Sequence, residues 1–267
     1  MMVLAHSGYD HVTFVAIAIV LVAGFGAVWW RNAARSLVRF GCWTIAVVLV
    51  LLASSPRFES LAEHSFTGHM VQHLVVIIGA APLFVLARPL HTMLAAGVIR
   101  TTPFGRRVGA AWHRAAPLIA PVLFLGVLFA THLTAIYDGA LGNRWLHEAE
   151  HAGYLLGSVA VWAAVLATRK ANAPARIAAV FGIIAGSALL AVILMTAKDP
   201  LVPTYAAHLG DAEAVEDQRA AAALMWVSGM ATTLPLMVAS VWRWAATEDR
   251  IARRHEALLD GTLDSGR

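Results

Sequence analysis

The chain has 267 residues, 59% hydrophobic and only 13% charged, whereas soluble domains are about a quarter charged. With a mean hydropathy of +0.69, this excludes a water-soluble globular domain and leaves lipid as the solvent for most of the chain. The single cysteine, Cys42, excludes disulfides within the chain and any CxxC metal motif.

Crossing a hydrocarbon layer of ~30 Å takes about 20 apolar residues as helix. Seven stretches meet that need in chain order, at 12–30, 38–53, 66–87, 115–134, 147–168, 176–197 and 220–242. None shows the period-2 alternation of a membrane β-barrel, so the fold class is an all-α integral membrane protein of seven transmembrane helices forming one domain. The first run ends in Trp29, Trp30 and Arg31 and is too long for a signal-peptide core, so it is expected to stay as the first helix.

Charge placement then predicts the orientation. All of the 20 Lys and Arg residues except Arg57, Arg144, Lys198 and Arg219 fall on one side, which the positive-inside rule assigns to the cytoplasm. The N-terminus is therefore expected outside and the tail 243–267 inside. The inner loop 88–114 carries Arg88, Arg100, Arg106, Arg107 and Arg114 with no acid and is expected to lie along anionic lipid, as is a surface helix in the tail. Topology and lipid account for this basic face without a nucleic-acid partner.

Polar chemistry collects on the opposite face. Of the 12 His residues only His91, His113 and His255 fall on the basic side. His69 and His73 in the third span, and His147 and His151 in the fifth, each stand one helical turn apart on one face. His132 ends the fourth span at similar depth. Imidazoles in a lipid span face a bundle interior or a wet cavity, and neutral imidazole suits copper, zinc, iron or nickel. A lone His at such a place is more often a satisfied packing residue, hydrogen-bonded to Glu63, Glu150 or water; two pairs on one face point to metal or haem ligation. Met70, Met195 and Met225 near the same helix ends add soft ligands, although Met is also ordinary core filler. His6, His11 and His208 are candidate loosely tethered ligands.

Residues 147–151 also spell H-E-x-x-H, the pattern in which two His hold zinc and Glu148 activates its water. A membrane metalloprotease is thus a second reading, weaker because it leaves His69 and His73 unused. The segment from Lys198 to Arg219 reads as a structured acidic loop. Its acids read as solvated surface except Asp217, which stands as a candidate functional residue although a favourable charge at the start of the last span would be the simpler role for it.

The strings His69-Met70-Val71-Gln72-His73 with Ala81-Pro82-Leu83, His132 ahead of Tyr137-Asp138, and His147-Glu148-Ala149-Glu150-His151 resemble the polytopic CtaG family, assembly factors for bacterial caa3-type cytochrome c oxidase. Pro200 to Tyr205 and Asp217-Gln218 leading to Met225-Trp226 extend the likeness over roughly residues 60–230. The sequence departs from the family pattern at Leu133-Thr134, where a proline is expected, and between Gln218 and Met225, where alanines replace glycine. The resemblance implies a non-enzymatic, multi-pass protein of the bacterial plasma membrane. Such a protein would meet cytochrome c oxidase subunits at the outer face and help mature the oxidase copper centre. It also implies a metal site of His69, His73, His132, His147 and His151, with Glu150, Asp138, Asp217 and Met225 around it. Copper is the expected metal, with zinc or haem as alternatives.

Overall fold

Backbone groups without water to bond must pair within their own segment, and the fold follows that demand throughout. The structure, a computed structural model, describes residues 9–32, 35–166 and 173–264. Among them it is helical with no strand.

Helix α1 (Tyr9–Arg31) packs on α2 (Leu37–Ala53) and otherwise buries little. Ser36 starts α2, its side chain accepting from the Arg39 N–H at 3.4 Å. The Ser54-Ser55-Pro56 sequence then breaks the chain, and α3 (Pro56–His64) leaves α2 at 49°. Ser65 both ends α3 and caps α4 (Phe66–Leu74), accepting from Gly68 N–H at 2.9 Å. A Cβ at residue 68 would collide with the Leu61 carbonyl, so glycine here lets α3 fold back against α4.

After α4 the coil widens into a π-helical turn at Val75–Ala80, followed by α5 (Ala81–Ala87). The cause is Pro82, which lacks an N–H and whose ring would press on the Ile78 carbonyl of a regular helix. Arg88, at φ 49°, turns the chain into α6 (Pro89–Ala95). Thr102 caps α7 (Pro103–Leu133), accepting from Gly105 N–H at 3.0 Å. Thr134 then starts the short α8 (Ala135–Gly142), accepting from Ile136 N–H at 3.2 Å. It thereby supplies the start of α8 where the family pattern leads one to expect proline. Helices α9 (Arg144–Leu166) and α10 (Ala173–Thr196) complete the wall around α7. The close approach of α10 depends on Gly186, where a Cβ would meet Leu125 side-chain atoms at 2.6 Å. The short α11 (Pro203–Leu209) leads into α12 (Asp211–Asp264), 54 residues long.

Among the described residues six helical stretches are long and apolar enough to cross a membrane: Val12–Arg31, Phe66–Ala95, Pro103–Leu133, Arg144–Leu166, Ala173–Thr196 and Asp211–Arg254. The second expected span is different. Its helix has 17 residues, about 25 Å at 1.5 Å per residue, and crosses only if the bent pair α2 and α3 counts as one span. Three boundaries also shift. The segment 88–114, read as a surface loop, is mostly helix, because α6 continues the third span and α7 begins at Pro103. The loop before the last span contains α11 and the first turns of α12. The tail is not a separate surface helix but runs on from α12. Large apolar side chains such as Val20, Val122, Leu156, Phe181, Leu189 and Val227 are exposed on the outside of the bundle, a surface that suits hydrocarbon rather than water.

Candidate metal centre

The polar residues gather at the end of the bundle where α3, α8 and α11 lie across the helix ends. Asp217 sets the position of α4 there. One carboxylate oxygen accepts from Phe66 N–H at 2.6 Å and the other from Thr67 N–H at 3.3 Å, while the Thr67 hydroxyl donates to the Asp217 carbonyl at 3.1 Å. An acid on free N–H groups of a helix start satisfies orphan donors and complements the dipole. Asp217 is thus more than a charge at the start of its own helix: it lies in the second turn of α12 and caps the histidine-bearing α4. Next to it, Gln218 accepts from Leu201 N–H and donates to the Leu194 carbonyl, both at 2.9 Å. Ala221 and Ala222 just beyond are fully buried, so alanine is small enough for the contact.

Helix α4 buries His69 and His73 completely, and α9 brings His147 and His151 against them. Ring centroids are 4.4 Å apart for His69–His73, 5.0 Å for His73–His151, 5.3 Å for His69–His147 and 4.5 Å for His147–His151. Nitrogens of His69, His73 and His151 all lie within 4.8 Å of one another. The Nε2 atoms of His147 and His151 are 3.0 Å apart, close to the separation of two nitrogens each about 2.1 Å from one ion. The two helical pairs therefore form one cluster.

His132 comes from the end of α7 and is buried beside Phe66, Tyr137 and Tyr154. Its Nδ1 lies 2.9 Å from the Leu128 carbonyl. A neutral ring donates there, which leaves Nε2 as a bare lone pair. It adjoins the cluster without joining the closest three. Glu150 points inward from α9 with a fully buried side chain, its Oε1 3.7 Å from His73 Nε2.

The feature that sets this region apart is its unpaired polar atoms. Among the described residues His69 Nε2, both ring nitrogens of His73, His132 Nε2 and both oxygens of Glu150 are buried without a hydrogen-bond partner. Each such group costs about 1–3 kcal/mol when left unpaired, so their concentration in one place fits residues that hold an ion. Imidazole nitrogens with one carboxylate form a donor set for a late transition metal.

The remaining expected residues fall elsewhere. Asp138 accepts from Thr204 N–H at 2.9 Å and so holds the first turn of α11. Met225 is buried with Met70 along a cavity of about 90 Å³ that also meets His73 and His132. Met195 lies on α10, packed against the core. His208 is exposed on α11, and His6 and the side chain of His11 lie outside the described residues. Glu148 is half-buried and lines a cavity that Glu150 does not reach.

Three tyrosines complete the site and escaped attention as functional residues. Tyr205 donates to the Ala62 carbonyl at 2.6 Å and sits 3.3 Å from His69 Nδ1. Burial pushes its hydroxyl, and that of Tyr137, above the usual range, so both stay neutral. The Tyr154 ring lies tilted against that of His73, centroids 4.5 Å apart, and its hydroxyl bonds Thr131. A signal did exist, since Tyr154 falls one turn after Glu150 on the inward face of α9.

Comparison with known proteins bears on the whole arrangement. Uncharacterized proteins of Mycobacterium bovis and Mycobacterium tuberculosis are each 24% identical over 265 residues, 92% of this chain, and one of Mycobacterium leprae is 24% identical over 269 residues, 94% of this chain. The chain spans 40% of the length of these curated relatives. No solved structure matches. The family model for the cytochrome c oxidase caa3 assembly factor matches residues 19–247, which include every helix that builds the cluster. By that match the chain belongs to the caa3-type cytochrome c oxidase assembly factor family.

Proposed function

We propose that this protein helps mature the copper centre of cytochrome c oxidase by holding copper in the histidine cluster between α4 and α9 and passing it to an oxidase subunit. The observation that carries the reading is the set of buried, unpaired imidazole nitrogens of His69, His73 and His132 beside His151. His69, His73 and His151 are the inner ligands, His147 and His132 flank them, and Glu150 balances charge or orients His73 from behind. Met70 and Met225 supply soft neighbours suited to Cu(I). Copper is cargo, so it leaves by exchange of imidazole ligands for those of the acceptor. No bond of a substrate is cleaved.

The arrangement of charge supports placing the cluster outside a bacterial plasma membrane, with α2 and α3 together making a seventh span. Arg31, Arg39, Arg106, Arg107 and Arg176 lie at the helix ends remote from the histidines, so the positive-inside rule puts those ends in the cytoplasm. The N-terminus is then outside and the C-terminus inside.

The protease reading is weakened by the cluster itself. His147 and His151 are shared with His69 and His73 of another helix, and Glu150, which is not the glutamate of the H-E-x-x-H pattern, stands 3.7 Å from His73.

The test is a host lacking this gene, complemented with the parent, His73→Ala, His151→Ala and Glu148→Gln. The histidine variants are expected to insert normally but to lower oxidase copper content and activity at least tenfold, and Glu148→Gln to restore them. Full oxidase copper with the His73→Ala/His151→Ala double variant contradicts the assignment.

A further inference from the structure

A polar cavity of about 230 Å³ leads to the cluster from the side formed by α1, α3, α8 and the start of α9. Its outer wall carries Glu59, Glu63 and Glu148 with Arg144, three carboxylates against one guanidinium. Glu63 is exposed, and Glu59 and Glu148 are half-buried. Its inner wall is made by the half-buried His147 and His151. Gln72 closes the same wall. It is fully buried, its Nε2 donates to the Ala53 carbonyl at 2.7 Å, and its Oε1 has no partner among the described residues. Glu150, His69 and His73 do not line this cavity and lie one layer deeper.

The polar groups are thus graded along one line. Carboxylates come first, one exposed and two half-buried, then a half-buried imidazole pair 3.0 Å apart, then buried imidazoles whose rings stand 5.0–5.3 Å further on. Carboxylates and an amide oxygen suit a cation that still carries water, whereas imidazole suits one that has lost it. A cleft of one charge sign with low-dielectric walls raises the capture rate of the opposite charge by 10- to 10³-fold.

We propose that this cavity is the loading path of the site: its carboxylates and Gln72 receive a hydrated metal cation, and His147 with His151 take it first and hand it to His69 and His73. The inference rests on the copper reading above and adds the side of approach and the order of ligands. Glu63 steers and does not ligate the stored ion.

The test uses the purified full chain in detergent with Ag(I), a soft monovalent ion that does not change oxidation state in the assay. Protein is mixed rapidly with Ag(I) in nitrate buffer of low ionic strength and quenched with chelator at intervals, and bound silver is counted by elemental mass spectrometry. The triple variant Glu59→Gln/Glu63→Gln/Glu148→Gln is expected to load about tenfold more slowly than the parent to the same final occupancy. The gap should close near 1 M salt, where the screening length falls to about 3 Å. A single-site version guards against misfolding. In a Cys42→Ala/Glu63→Cys chain, a thiol reagent that attaches a sulfonate should restore the parent rate, and one that attaches an ammonium group should slow it further. Equal parent and triple-variant rates at low salt overturn the loading path and leave the storage site intact. A lowered final occupancy in the triple variant also overturns it, because the acids would then be ligands. A parent that takes up neither silver nor copper overturns the copper reading itself.

Discussion

Asp217 shows how a residue outside the cluster governs it. Its carboxylate holds the first two N–H groups of α4, one turn ahead of His69, so the register of both α4 histidines against α9 depends on it. Removing such a cap costs about 0.5–2 kcal/mol. Asp217→Ala is expected to lower the thermal midpoint and to weaken metal retention several-fold without changing the number of ions bound. Asp217→Asn, which still accepts hydrogen bonds, should recover most of the loss. Thermal unfolding beside metal titration checks this, and an unchanged midpoint in Asp217→Ala contradicts it. At this scale the sequence was informative about which residues matter but not about their partners. The i, i+4 spacing of His69/His73 and of His147/His151 makes each pair share a face, but Asp217 on α4 and Asp138 on α11 involve contacts across 150 and 66 residues, which no local pattern encodes.

Among the elements, the π-helical turn after α4 is the joint between the histidine layer and the rest of the third span. A π turn leaves carbonyls poorly paired, and Trp162 of α9 donates its indole N–H to the Ile77 carbonyl at 2.9 Å. The wide turn is thus tied to the same helix that carries His147 and His151. Trp162→Phe keeps an aromatic side chain, though a smaller one, and leaves that carbonyl without its donor. A loss of about 1–3 kcal/mol is expected, with faster release of bound metal as α4 and α9 loosen; a variant as stable and as slow to release metal as the parent contradicts the coupling. Pro82 announces a disturbance in a span, yet whether it yields a kink, a break or a π turn depends on what receives the freed carbonyl. That receiver, Trp162, lies far along the chain. The same limit explains the second span. Ser54, Ser55 and Pro56 signal a stop, but the continuation of the chain as α3 at 49° depends on Gly68 letting it fold against α4.

At the scale of the whole molecule, hydropathy and the absence of alternation were enough for an all-helical membrane bundle, because lipid leaves the backbone few options. Loop boundaries were less legible, since helix continues past the apolar run wherever capping and neighbours support it, as at Pro103 and beyond Trp242. Orientation remains the part that rests on charge placement alone. In intact cells a membrane-impermeant maleimide is expected to label a Cys42→Ala/Glu63→Cys chain and to leave a Cys42→Ala/Arg250→Cys chain unlabelled until the cells are opened. The opposite pattern contradicts the proposed topology. The most direct test of the central claim is the metal content of the purified chain, read by elemental mass spectrometry beside a variant lacking His69, His73, His147 and His151. Copper bound to the parent and absent from the variant is the expected result. Equal copper in both contradicts the cluster as the copper site, and zinc or iron in its place contradicts copper as the cargo.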